Sequence, residues 1–176
     1  MALDIPIPSV THVHDFEDMP LRERWCYFAG DSESYMTSAF GVSSAHTRIA
    51  GVLFYLYQMD GFLHWGHNFW FSQYSLDFDT DPWRDTTAGC GFTGGGAFNV
   101  YPGKDGKPVA SQHYETFSLA LQDLQLLQTL EEKIGRDAVI ELIHDGLDYQ
   151  ISMNRFPRSI AWFENLFQTV LKKLEK

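Results

Sequence analysis

The chain has 176 residues, 44% of them hydrophobic and 20% charged, with a formal charge of −10. That is the size of one domain with room for a substantial core. The negative balance argues against a nucleic-acid partner, which needs a basic surface to displace counterions, and against an anionic membrane; uncharged ligands suit it best.

Cys26 and Cys90 are the only cysteines. Two thiols so far apart make neither a zinc signature nor a disulfide framework, and Cys26, inside an apolar run, reads as a small core residue. No apolar run reaches the length of a membrane span, and the amino terminus lacks a charged region followed by an apolar one. A cytoplasmic location is the expectation, with no cofactor and no metal.

In residues 5–10, Ile5, Ile7 and Val10 alternate with Pro6 and Pro8, which cannot donate to a ladder, so at best a short or edge strand is expected. His12, His14 and Asp15 follow. Their proximity invites a metal reading, but no distant ligand is marked out, and a polar strand end is the plainer one. Residues 24–30 (RWCYFAG) read as a strand covered on both faces. Residues 31–40 read as a polar loop with Tyr35 and Phe40 as candidate contacts, then Ser43 or Ser44 as the cap of a helix over 45–59 whose apolar residues recur at helical spacing. Asp60-Gly61 is expected to end that helix, with glycine in the left-handed position, and a strand over 61–65 begins at once. The order strand, helix, strand is a βαβ unit with parallel neighbours, and the ligand site of such a unit lies beyond the carboxyl ends of its strands.

There the sequence runs GFLHWGHNFWFSQY. Trp65, Phe69, Trp70, Phe71 and Tyr74 are interleaved with His64, His67, Asn68 and Gln73. Flat apolar faces beside imidazoles and amides suit a sugar ring, whose C–H face stacks while its hydroxyls hydrogen-bond. The same pattern also suits a buried strand whose end is closed by aromatic packing. Asp77, Asp79 and Asp81 then alternate in a long segment without period, but the glycine and glutamate of a calcium loop are absent. Phe78 and Trp83 could fold over a ligand there; an acidic surface loop pinned by Trp83 is the reading adopted. Gly94-Gly95-Gly96 precedes a strand instead of a helix and is no phosphate cradle.

A short strand over 97–101, a tight turn over 102–106 and three helices complete the chain. The first runs from a Ser111 cap to about residue 134, with Phe117, Leu121, Leu124, Leu127 and Leu130 as its buried face and Gly135 as its stop. The second covers 138–144. The third, from 157 or 158 onward, buries Ile160, Phe163, Leu166, Phe167 and Val170. Glu115 and Asp123 lie on roughly one face of the first helix and read as surface charge.

Three blocks together, GFLHWGHNFW, DPW and VYPGKDGKPVASQHYETFSLALQDLQLLQTLEEKIG, resemble the carboxyl-terminal part of glycoside hydrolase family 123 and the related domain-of-unknown-function family 4091. RWCYFAG and IPIPSV fit the same order. The resemblance implies an α/β fold: the carboxyl-terminal portion of a (β/α)8 barrel, with about three parallel strands (5–10, 24–30, 61–65) plus terminal helices. Such barrels need about 250 residues. As a single domain, it would divide into last strands and crossover helix (1–74), loop and short strand (75–108) and helices (109–176). The family's activity, as the resemblance implies it, is hydrolysis of terminal N-acetylhexosamine by substrate assistance, with a consecutive Asp-Glu pair supplying the acid and the acetamide-orienting carboxylate. No such pair occurs here; Glu17-Asp18 and Glu131-Glu132 follow no expected barrel strand.

The resemblance carries Trp65 (subsite floor), Asn68 (hydroxyl or carboxylate contact) and Trp70 (wall), with Trp25 and Tyr27 matching less strictly. Where the family's helix commonly reads Ser-Ile-Arg and later Glu-Asp, this chain has Ser111-Gln112-His113 and Gln122-Asp123, which leaves any salt-bridge scaffold in question. The expectation is a glycan-binding part of a glycoside hydrolase-like protein without its acid pair. Its partner is then the amino-terminal remainder of the barrel or a second copy. The other reading is a non-catalytic carbohydrate-binding or assembly module that pairs through an open sheet edge.

Overall fold

The computed structural model describes residues 4–29, 33–69, 81–89 and 92–175. Strand β1 is Trp25–Phe28 and β2 is Gly61–His64; they run parallel, with Trp25 level with Gly61 and Phe28 level with His64. On the far side of β1, Ser9 forms a single parallel bridge to Tyr27. There Tyr27 N–H donates to Pro8 O at 3.0 Å and Val10 N–H to Tyr27 O at 2.8 Å. The strand expected over 5–10 is therefore one bridge long, because Pro6 and Pro8 have no N–H to extend it. Three parallel segments stand side by side, but among the described residues they do not close into a barrel, and the fold is mixed α/β.

Cys26 and Phe28 are buried while Trp25 and Tyr27 are half-buried, so β1 alternates and is not covered equally on both faces, as its apolar run suggested. The helix expected over 45–59 has a one-residue interruption at Ile49, giving α1 (Ala45–Arg48) and α2 (Ala50–Leu56). Hydrogen bonds from Ile49 N–H to Ala45 O and from Leu53 N–H to Ile49 O cross the interruption. Neither Ser43 nor Ser44 caps it through a side chain. Its stop also comes earlier than expected. Met59 N–H donates to Phe54 O and Gln58 N–H to Tyr55 O, a Schellman closure with Gln58 in the left-handed position at φ 51°. Gly61 serves another purpose: a side chain there would overlap the Trp25 indole, which lies across the paired strand.

Residues 36–39, read as part of a polar loop, are buried. The loop is tied to α1 by Thr47 Oγ1 donating to Thr37 O at 2.9 Å. A hairpin of β3 (Val100–Pro102) and β4 (Pro108–Ala110) follows, turning through Gly106 at φ 75°. Its second strand, short, exposed and opened by proline, gave no sequence signal.

The helix α3 (Gln112–Ile134) is capped as expected, Ser111 Oγ accepting from Tyr114 N–H at 3.1 Å, and ends at Gly135 with φ 83°. Helices α4 (Arg136–His144) and α5 (Ile160–Leu174) pack beside it. Ala120, Leu127 and Leu130 form its buried stripe, whereas Leu121 points to solvent; Ile160, the first residue of α5, is likewise exposed. Asp123 corrects the sequence reading most sharply. It lies on the buried stripe, 2% exposed, and accepts from Arg48 Nε at 2.9 Å, with Phe163 and Phe167 5.1 and 5.6 Å from the guanidinium. Gly51 makes the α2–α3 contact possible, since a methyl group there would overlap the Ala120 carbonyl.

Candidate functional site

The carboxyl end of β2 meets the start of α3. His64, the last residue of β2, sits edge-on to Phe28 with ring centroids 5.2 Å apart. Gly66 N–H donates to His64 Nδ1 at 3.2 Å, which places the proton of a neutral ring on Nε2. That Nε2 is buried without a partner. Burial, then the neighbouring His67 and His113, push the ring down to about pKa 4. The next side chain, Trp65, is half-buried against Phe92 at 4.7 Å and Phe69 at 5.7 Å, and its Nε1 is likewise buried and unpartnered. Gly66 permits the close pass of the loop, since a Cβ there would lie 3.2 Å from the Ala97 backbone.

His67 and Asn68 are exposed. The backbone O of His67 accepts from Asn99 N–H at 2.8 Å, its ring lies edge-on to Tyr114 at 5.9 Å, and Asn99 Nδ2 faces its Nδ1 at 3.4 Å. Asn68 forms an antiparallel bridge with Phe98. Trp70 lies outside the described residues, as do Phe71, Gln73, Tyr74, Asp77, Phe78, Asp79 and Cys90.

The structure brings together His64, Trp65, His67 and Asn68. Trp25 is elsewhere: it stands at the amino end of β1, three residues or about 10 Å from the end that carries His64. Its Nε1 donates to Glu23 at 2.8 Å. Tyr27, half-buried, pairs in register with Leu63 and is bonded through its backbone to residues 8–10.

Two residues that the sequence did not join to this strand end, His113 and Phe40, adjoin the rim. His113, in the first turn of α3, stacks on Phe40 at 5.0 Å; its Nε2 is buried without a partner, and burial lowers its pKa. Phe40 is 53% exposed and its ring also lies flat on Gly95, where a Cβ would come within 2.7 Å of it. Beside them is a cavity of about 80 Å³ lined by Phe40, Ser43, Thr47, Gln112, His113 and Thr116, with no charged side chain. A lone histidine at a helix start carries no periodic signal, and Phe40 is 73 residues away in the chain, so only the fold joins them.

The acidic loop takes the plainer of its two readings where it is described. Asp81 accepts from Trp83 N–H at 3.0 Å; Asp85 accepts from Thr87 Oγ1, Thr87 N–H and Gly89 N–H, bonds that lower its pKa. Trp83 Nε1 donates to Pro102 O at 2.9 Å, and the indole packs on Tyr101, pinning the loop to the hairpin. His12 and His14 do not line one face of a strand. His12 caps and His14 lies within a 3-10 turn, Val13–Phe16, and both meet the exposed Asp15 carboxylate, at 3.1 and 3.2 Å.

Chemically the rim offers neutral hydrogen-bonding nitrogens beside aromatic faces. His64, neutral at pH 7, is a donor with nothing to donate to. No curated protein matches the sequence. Residues 2–130 match the family description "Glycoside hydrolase 123, catalytic domain", a span that contains β1, β2, the rim and most of α3, and the chain belongs to that family.

Proposed function

We propose that this chain supplies one wall of a glycan site in a glycoside hydrolase of the family-123 type, with an N-acetylhexosamine-containing sugar as the ligand. The observation that carries it is the convergence of His64, Trp65, His67 and Asn68 at the carboxyl end of a parallel strand, the end where α/β folds place ligands. On this reading the three parallel segments are the last strands of a (β/α)8 barrel. The chain contains no consecutive Asp-Glu, so on this reading the proton donor and the acetamide-orienting carboxylate come from an amino-terminal remainder of the barrel.

Calorimetric titration with a methyl N-acetylhexosaminide tests the binding role. Binding is expected, with a roughly tenfold loss in Trp65→Ala, the scale of one stacked ring. No heat in the wild type at millimolar sugar overturns it. Incubation with an aryl N-acetylhexosaminide tests the acids: no turnover is expected from this chain alone, and sustained release of the aryl alcohol would refute the missing-pair assignment.

One feature favours a second reading. Within Gly61–His64, the backbone of β2 has a described partner on one side only, and an open parallel edge invites pairing. A carbohydrate-binding or assembly module that pairs through this edge would sediment as a dimer, and a monomer without glycan affinity would dismiss it.

A further inference from the structure

Two histidines away from the rim, His46 (buried) and His144 (half-buried), are held by backbone groups. An amide N–H can only donate and a carbonyl can only accept, so the contacts say which protons each ring carries. His144, the last residue of α4, has Nδ1 2.8 Å from Ile140 O and receives Ile151 N–H at Nε2, 3.1 Å away. One nitrogen donates and the other accepts, which only the neutral ring can do. His46, in α1, has Nδ1 3.2 Å from Ser43 O and Nε2 3.0 Å from Glu33 O. Both neighbours accept, and only the doubly protonated ring satisfies them together. A proton therefore has opposite effects at the two rings.

One stretch of chain touches both. Residues 145–159, between α4 and α5, bury Ile151, Met153, Phe156 and Pro157. Ile151 hangs by its amide on His144, and the Phe156 ring stands edge-on to His46 with centroids 5.5 Å apart. His46 also ties down the loop beyond the carboxyl end of β1. Its ring meets Glu33 O, and its own carbonyl accepts from Thr37 N–H at 3.1 Å. That loop leads to Phe40, the ring stacked on His113.

We propose that residues 145–159 and 33–40 form a proton-operated strap and latch, in which acid frees the strap at Ile151 and tightens the loop on His46. Imidazole ordinarily titrates between about pH 5 and 8, so the change falls near neutrality. Charges of both signs surround each ring, which leaves the backbone contacts to decide. The cavity of about 330 Å³ beside His144 brings the Glu17 carboxylate, the Arg24 guanidinium and the Tyr57 phenol, whose pKa is raised by burial and then by Glu17. Glu141 and Asp145 are its neighbours in sequence. At His46 the charged groups are Arg48, closed onto Asp123, Arg158, 5.8 Å from the centre of the Phe156 ring, and the exposed Glu33.

The test is imidazole nitrogen NMR with amide hydrogen exchange on the whole chain at pH 7.5 and pH 5.5, corrected for the intrinsic pH dependence of exchange. At pH 7.5 His144 is expected as the Nδ1–H tautomer. At pH 5.5 its Nε2 takes a proton, and exchange at Ile151 rises about tenfold against Cys26, the loss of one hydrogen bond. Over the same step His46 shows protons on both nitrogens and exchange at Thr37 slows. His144→Phe should leave Ile151 fast at both pH values. His46→Gln, which keeps an amide donor toward Glu33 O, should abolish the response at Thr37 alone. His144 found as the Nε2–H tautomer, still neutral at pH 5.5, or protonated with Ile151 protected overturns the strap. His46 with a single ring proton at pH 5.5, or doubly protonated with Thr37 unchanged, overturns the latch.

Discussion

Two hydrophobic clusters among the described residues differ in how they treat polar groups. The larger, built from β1, α2, α3, α4 and α5, takes a carboxylate and a guanidinium into its interior and joins them, Asp123 to Arg48, with the guanidinium over the rings of Phe163 and Phe167. The smaller, where Trp65, Phe69 and Phe92 pack on Ala97, Phe98 and Tyr101, adjoins a rim that leaves ring nitrogens unsatisfied. The larger cluster also leaves the Tyr55 hydroxyl buried without a partner, but its buried Arg48–Asp123 pair is closed, whereas the rim gathers three orphaned ring nitrogens.

The contrast can be broken hardest at the buried pair. Asp123→Ala leaves Arg48 uncompensated among aromatics and should cost about 3–5 kcal/mol in denaturant unfolding, whereas Arg48→Met with Asp123→Leu should recover most of it. A loss below ~1 kcal/mol would mean the pair is solvated.

Next in size is the pH response of the rim. His64 has its folded pKa depressed from 6.5 to about 4, so the unfolded chain takes up its proton first. Stability from this ring is complete above about pH 6.5 and is lost as pH falls toward 4, about 3 kcal/mol in all at ~1.4 kcal/mol per unit. His64→Phe should flatten that part of the stability profile; an unchanged acid limb would show that folding does not depress the ring's pKa.

Smaller effects sharpen the same contrast. Gly51→Ala forces α2 from α3 and should cost about 1–3 kcal/mol by thermal melting, with little effect on sugar affinity. At the bottom of the scale, Cys26 is fully buried and its thiol is pushed up to about 12. Alkylation of Cys26 at pH 8 should be undetectable by mass spectrometry until the chain unfolds.

Much of the fold could be read from spacing. The helical period located α3, α4 and α5 to within a few residues, because their apolar faces are long and regular. The strand–helix–strand order likewise pointed to the parallel β1–β2 pair. What escaped depends on residues far apart in the chain. Asp123 lies three residues after Ala120 and four before Leu127, so the buried stripe ran through it in the sequence. Its charge argued for solvent, and its partner is 75 residues away. The stacking of His113 on Phe40 escaped for the same reason. The second strand of the hairpin was missed because three exposed residues give no alternation. The grouping of His64, Trp65, His67 and Asn68 was legible because they follow one strand end. Trp25 was misleading as an aromatic in a strand, since a strand has two ends and composition does not say which one a residue occupies.

The position of β1 between two neighbours has a consequence for how the molecule breathes. Its backbone is bonded to residues 8–10 on one side and to β2 on the other. Amide protons of Cys26 and Phe28 should therefore exchange with solvent at the pace of global unfolding, and those of β2 sooner. His64 thus hangs from the less protected strand, and an occupying sugar would repay its binding as slower isotope uptake there.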